Sequence, residues 1–172
     1  ACTRSGSCAR PTTTSRGVPV HRTPSYVFRD TTHAANLFAL KELGNIYSRL
    51  MNPTQDVLEK RVAELEGGAA AVALASGTSA IHYTVINLCE AGDEIVSANN
   101  LYGGTYTMFD AILPQFDIRV KFADPRDPHN IETQISEKTR GIFIEAIGNP
   151  LLDVSDIEAF SQIAHKHNLP LM

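Results

Sequence analysis

From position 53 onward, apolar residues fall alternately at helical spacing and in short unbroken runs. Asn52-Pro53-Thr54 opens the first helical stretch, because proline loses nothing in the first turn of a helix. Leu58, Val62 and Leu65 share one face of it, and Gly67-Gly68 stops it. Ala69–Ala75 is apolar without alternation, which predicts a buried strand. After the turn Ser76-Gly77-Thr78, residues Ile81, Val85 and Leu88 predict a second helix. A strand is then expected over Glu94–Ala98, a helix over 105–113 opened by Gly103-Gly104, and a strand over Ile118–Phe122. A short helix over Ile131–Glu137 and a very apolar strand over Gly141–Ile144 follow. Ser155 opens a long helix with Ile157, Phe160, Ile163 and Ala164 inward, and Leu169 begins a fifth strand. This alternation specifies an α/β domain around a mostly parallel sheet.

Residues 18–52 break the alternation. They carry Pro19 and Pro24, a helical stretch over Thr32–Leu43, and then Gly44-Asn45-Ile46-Tyr47-Ser48-Arg49, and read as an arm of the kind that reaches a partner subunit. Residues 1–17 are rich in Ser, Thr and Arg and lack any acidic residue. That bias resembles a transit peptide, but no clear amphipathic period accompanies it, and a disordered leader explains it as well. At the other end the chain stops inside an apolar segment, Leu169–Met172, as expected of a truncated domain. The expected organisation is therefore a leader at 1–17, an arm at 18–52 and an incomplete α/β domain at 53–172.

Composition narrows the classes. The 172 residues are 43% hydrophobic and 20% charged, enough for one globular core. A net charge of −4 favours neither nucleic acid nor an acidic membrane surface, and no apolar run has the length of a membrane span. Cys2, Cys8 and Cys89 form no CxxC pair, so neither a disulfide framework nor a zinc site is indicated, and a reducing cytoplasm is expected. His165 and His167 are two apart on an expected helix and do not share a face, which argues against a metal pair.

Ligands of open α/β sheets bind beyond the carboxyl ends of strands, where three loops here hold unusual residues. Ser76-Gly77-Thr78 joins a strand to a helix; Gly77 permits close backbone approach, and the helix N-terminus favours a phosphate. A purely structural turn is the alternative, and neither GxxxxGK[ST] nor GxGxxG is present. Leu101-Tyr102-Gly103-Gly104 offers an aromatic plane on which a flat ligand could stack, or a ring that simply covers a sheet edge. Glu145–Pro150 places Glu145 after an apolar strand and Asn149 before a proline, where the amide could orient a ligand hydroxyl or only stabilise its loop. In the arm, Tyr47 and Arg49 project to one face if the segment is extended, a pairing that suits a phosphate or an exposed surface equally.

Taken in order, these segments resemble one family. Tyr26-Val27-Phe28, the run Gly44 to Thr54, Leu58-Glu59, Leu65-Glu66-Gly67-Gly68, Ala75 to Ile81, Leu101 to Tyr106, and Glu145 to Pro150 resemble the N-terminal half of the Cys/Met-metabolism enzymes that depend on pyridoxal 5'-phosphate (PLP). The likeness covers residues 18–172. Within the family, Phe38 to Gly44 and the wording around Asn149 are most similar to O-acetylhomoserine sulfhydrylases, ahead of cystathionine γ-synthase, cystathionine γ-lyase and methionine γ-lyase.

The resemblance implies a truncated fold-type I large domain of the PLP transferases. It implies that Ser76, Gly77 and Thr78 bind the PLP phosphate, the latter two through backbone amides that tolerate Thr78 in place of the family's frequent methionine. Tyr102 would stack on the pyridine ring and assist proton transfer. Asn149 would bond the ring oxygen, and Glu145 would support that loop. Tyr47 and Arg49 would reach the phosphate of a neighbouring subunit in a homodimer or homotetramer. The implied reaction joins sulfide or a thiol to O-acetylhomoserine, giving homocysteine or methionine plus acetate. A cystathionine γ-synthase or γ-lyase type member, or a non-catalytic PLP- or phosphate-binding module, are the alternatives. The family's cofactor-holding lysine lies beyond Met172 in this reading: none of Lys41, Lys60, Lys121, Lys138 and Lys166 follows a strand in a ligand loop, so the 172 residues by themselves are expected to be inactive.

Overall fold

The computed structural model describes residues 17–172, so the expected leader, with Cys2 and Cys8, lies outside the described residues save for Gly17. The chain divides into two compact units, with the boundary in the sequence between Ala73 and Leu74.

In the first unit, Asp30 caps α1 (Thr31–Phe38) by accepting the His33 N–H at 2.7 Å. The helix ends earlier than the expected Leu43, because Leu40 takes a left-handed backbone at φ 54°. Asn52 caps α2 (Pro53–Leu65) through the Thr54 N–H, with Pro53 in its first turn and Gly67 left-handed beyond its end. Leu58, Val62 and Leu65 form the expected stripe but stand 56%, 41% and 84% exposed. Residues 19–25 are laced to residues 47–54 by polar contacts. Thr54 Oγ1 donates to Pro19 O and accepts from the His21 N–H, Asn52 Nδ2 donates to His21 O, and Ser25 bridges Tyr47 antiparallel.

The second unit is built on a parallel sheet of β1 (Glu94–Ala98), β2 (Arg119–Ala123) and β3 (Thr139–Phe143), in the order β2-β1-β3. All five residues of central β1 are buried, the signature of a strand covered on both faces. A fifth expected strand is present in outline: Met172 donates to Ile142 O, Ile144 donates to Met172 O, and Leu171 pairs parallel with Ile142. Helix α3 (Gly77–Leu88) contributes Val85 to the core. The next helical segment opens at the two glycines as expected but changes pitch, from α4 (Gly103–Thr107) through a π-turn at Met108–Ile112 to a 3₁₀ turn at Leu113–Phe116. It seals the sheet with Phe109, set edge-on to Phe143 at 5.0 Å, and with Tyr106 stacked on Phe122 at 4.7 Å. α5 (Pro128–Glu132) starts and ends earlier than expected, since Asp127 caps it and Pro128 suits its first position. In α6 (Ile157–Lys166), Phe160 and Ala164 are buried as expected. Ile157 is instead half-exposed, because Asp156 rather than Ser155 caps the helix and Ile157 becomes its first residue.

One element differs outright. Ala69–Ala75 is not a strand, and Val72 is 76% exposed. An apolar run becomes a strand only against a neighbour's row of N–H and C=O groups, and no described strand pairs with this one.

Candidate active site

The chain leaves β1 to reach β2 on one side and returns to β3 on the other, so the loops after β1 and β3 diverge at a switch point of the sheet. Asn99 still donates to Ala123 O in the ladder, and the loop proper begins at Asn100. Tyr102, two residues on, donates its backbone N–H to both carboxylate oxygens of Glu145, at 3.0 and 3.2 Å. The Asn149 N–H donates to Asn100 O at 3.1 Å. Two loops about forty residues apart in sequence are thereby tied at two points.

The Glu145 loop is itself braced. Ser155 Oγ donates to Glu145 O at 2.7 Å, Ser155 N–H to Ala146 O, and Gly148 N–H to Asp153 O, with Ile147 and Val154 paired antiparallel. The Asn149–Pro150 peptide is cis. Gly148 is a glycine because Asn100 leaves it no room: a Cβ there would lie 2.3 Å from Asn100 Nδ2 and 3.0 Å from Asn100 O. Both amide atoms of Asn100 are buried and have no partner among the described residues. Asn100, Gly148 and Ser155 are not among the site residues expected from the sequence, where Ser155 stands only as a helix opener. Asn100 sits directly before the Leu101-Tyr102-Gly103-Gly104 run, and that adjacency was the available signal.

At the start of α3, Ser76 Oγ accepts the Ser79 N–H at 3.1 Å and contacts Ser79 Oγ at 2.9 Å. The first intrahelical bond runs from Ala80 N–H to Ser76 O, so the Gly77 and Thr78 N–H groups precede the helical ladder. No atom lies within 4 Å of a Cβ built on Gly77. Thr78 and Ser79 share a cavity of about 550 Å³ with Gly103, Gly104, Thr107 and Met108. Tyr102 is 55% exposed.

Tyr47 and Arg49 belong to the first unit. The segment is not extended there. A turn with Leu50 and Met51 N–H groups on Tyr47 O swings the Arg49 guanidinium over the Tyr47 ring at 5.3 Å, so the two side chains meet for a different reason from the one expected. The lysines of the second unit stand apart from the strand-exit loops of its sheet. Lys121 lies within β2 and pairs with Glu94 at 2.7 Å, Lys138 precedes β3, and Lys166 in α6 pairs with Glu132 at 2.7 Å. Lys41 and Lys60 are in the first unit. Glu94, held by Lys121 and Ser136, keeps its carboxyl below the ordinary range and joins the amino ends of the strands, away from the loops above. No group of three metal-ligating side chains occurs among the described residues, and no helix among them is long and apolar enough to cross a membrane.

A model of the family described as Cys/Met metabolism PLP-dependent enzymes matches residues 1–172. The chain belongs to this family. Among curated proteins, O-acetyl-L-homoserine sulfhydrylase of Leptospira meyeri is 55% identical over 162 residues, which are 94% of this chain and 37% of that protein. Homocysteine synthase of Schizosaccharomyces pombe is 51% identical over 160 residues, again 37% of its length. The chain thus spans little more than a third of these relatives. Among solved structures, one assigned as an O-acetylhomoserine (thiol)-lyase from Campylobacter jejuni, carrying a pyridoxyl-lysine monophosphate, is 42% identical at a TM-score of 0.89, covering 92% of this chain and 39% of that one. Cystathionine γ-lyase of Lactobacillus plantarum is 34% identical at a TM-score of 0.83, covering 94% of this chain and 40% of that one.

The residues present fit the family's cofactor. A flat phosphorylated ring needs an accessible aromatic face and backbone donors with open space beside them. Exposed Tyr102 and the Gly77 and Thr78 N–H groups answer those needs in turn.

Proposed function

We propose that this chain is part of a PLP-dependent γ-replacement enzyme that converts O-acetylhomoserine and sulfide or a thiol to homocysteine or methionine plus acetate. The observation that carries the reading is the Tyr102–Glu145 tie. It holds an exposed aromatic ring at the switch point, in a chain 55% identical to an O-acetyl-L-homoserine sulfhydrylase. When bound, PLP supplies an electron sink for the carbanion at the substrate Cα. The Gly77 and Thr78 N–H groups hold its phosphate at the α3 N-terminus, and the Ser76 hydroxyl keeps that turn in shape by capping Ser79. Tyr102 would offer its exposed ring face to the pyridine, and its phenol would be the group available to move a proton. Asn149 bonds the ring oxygen, and Glu145 fixes the Tyr102 backbone. In the net reaction the Cγ–O bond to acetate breaks and a Cγ–S bond to the sulfide or thiol sulfur forms, the sulfur's proton leaves with the acetate, and Cα and Cβ end with the hydrogens they began with.

The arm at 18–52, with Tyr47 and Arg49, reaches the phosphate site of a second copy in a cytoplasmic homodimer or homotetramer. In this reading the lysine that holds the cofactor is not among the five in these residues: Lys60, Lys121 and Lys166 are in ion pairs, and Lys138 precedes β3 at the amino end of the sheet. The test is to express the protein from its gene, with any coding sequence flanking these residues, and to follow acetate and homocysteine. Visible PLP absorbance and acetate release that depends on sulfide or thiol are expected. Thiol-independent release of ammonia and a 2-oxoacid would instead assign a lyase, and a colourless protein without turnover would refute the reading. The 172 residues alone should turn nothing over.

A further inference from the structure

We propose that Asn100 is a positioning residue that sets the spacing between the Tyr102 loop and the Asn149 loop, with the bare Cα of Gly148 as its matching half. The inference rests on the cofactor site proposed above. Its physical basis is three contacts at one residue. The Asn100 backbone oxygen holds the Asn149 N–H at 3.1 Å. The Asn100 side chain occupies the place of a Gly148 side chain, with Nδ2 2.3 Å and Cγ 2.8 Å from where a Cβ would stand. Two residues later, the Tyr102 N–H is clamped by Glu145. A shift of Asn100 therefore moves both proposed cofactor contacts together.

The identity of the side chain is informative. A buried amide with neither atom partnered is costly to keep, and such groups call for a reason beyond packing. Asn100 fills a gap that only glycine on the facing loop creates.

The test is a mutant cycle in the protein expressed from its gene: Gly148→Ala, Asn100→Ser, and the two combined. PLP affinity, the visible band of the bound cofactor, and hydrogen exchange of peptides spanning residues 98–104 and 145–153 in the cofactor-free protein are measured together. Gly148→Ala is expected to weaken PLP at least tenfold, to shift the band, and to speed exchange in both peptides. Adding Asn100→Ser should recover much of each change. Recovery stays partial, because the Asn100 backbone oxygen still lies 3.0 Å from the new Cβ. A double variant no better than Gly148→Ala overturns the proposal, as does a loss of thermal stability that leaves cofactor affinity, band and loop exchange unmoved. If wild type binds no PLP while the exchange coupling persists, the cofactor reading fails and the positioning role stands.

Discussion

Replacing Glu145 probes the tie between the two loops without disturbing its scaffold. The backbone of Glu145 is held separately by the Ser155 hydroxyl, so Glu145→Ala removes only the carboxylate that accepts the Tyr102 N–H at 3.0 and 3.2 Å. A hydrogen bond to a charged acceptor contributes about 1.5–3 kcal/mol. Because the Tyr102 site is open to water, which replaces part of the lost bond, the low end applies. About 1.5 kcal/mol corresponds to roughly a tenfold loss of protection at the Tyr102 amide. Glu145→Gln keeps a neutral acceptor and should lose about 0.5–1 kcal/mol, a few-fold in protection. Amide exchange resolved at Tyr102 is the assay, with the buried Ile95 of β1 as internal control. Unchanged exchange at Tyr102 in Glu145→Ala would refute the reasoning. So would an equal acceleration at Ile95, which would mean the carboxylate supports the whole sheet and not the loop.

Glu132 gathers Lys166 at 2.7 Å and His167 at 3.0 Å, and these hold its carboxyl at about 2 against an ordinary 4.5. Its contribution to stability is complete above pH 4.5 and is lost as pH falls toward 2, so Glu132→Gln should flatten the acid limb of a thermal-unfolding profile. Burial, with Asp93 adding to it, pushes the Cys89 thiol up to about 11. Cys89 should react with a disulfide reagent at neutral pH only as fast as the protein unfolds, and stability should decline between pH 9 and 11. Ser76→Ala removes the cap on α3 and should cost about 1 kcal/mol in denaturant unfolding, with weaker phosphate binding at the same turn.

The loops were legible because their chemistry is local. Ser76-Gly77-Thr78, Leu101–Gly104 and Glu145–Pro150 carry their turn and cap residues within a few positions, and the structure sets each where a strand ends or a helix begins. The alternating runs likewise gave the parallel sheet, since β1 and β3 bury apolar residues wherever a neighbour lies on either side. Misjudged elements share a cause. Ala69–Ala75 has strand composition but no pairing partner among the described residues, whereas the Leu58–Val62–Leu65 stripe forms its helix as expected and stays exposed, because pairing and burial depend on a second surface that composition does not contain. Ile157 and the ends of α1 and α5 moved because caps and a left-handed Leu40, not hydrophobic period, set the boundaries.

The sequence by itself determined the family, the order of the elements and the residue types offered to a phosphate and a ring, all of which reside in neighbours along the chain. Only the tertiary structure decided that Glu145 clamps Tyr102 across 43 positions, and that Gly148 is bare to admit Asn100. Such distances arise where two parallel strands end side by side, and no local spacing encodes which residues will then face each other.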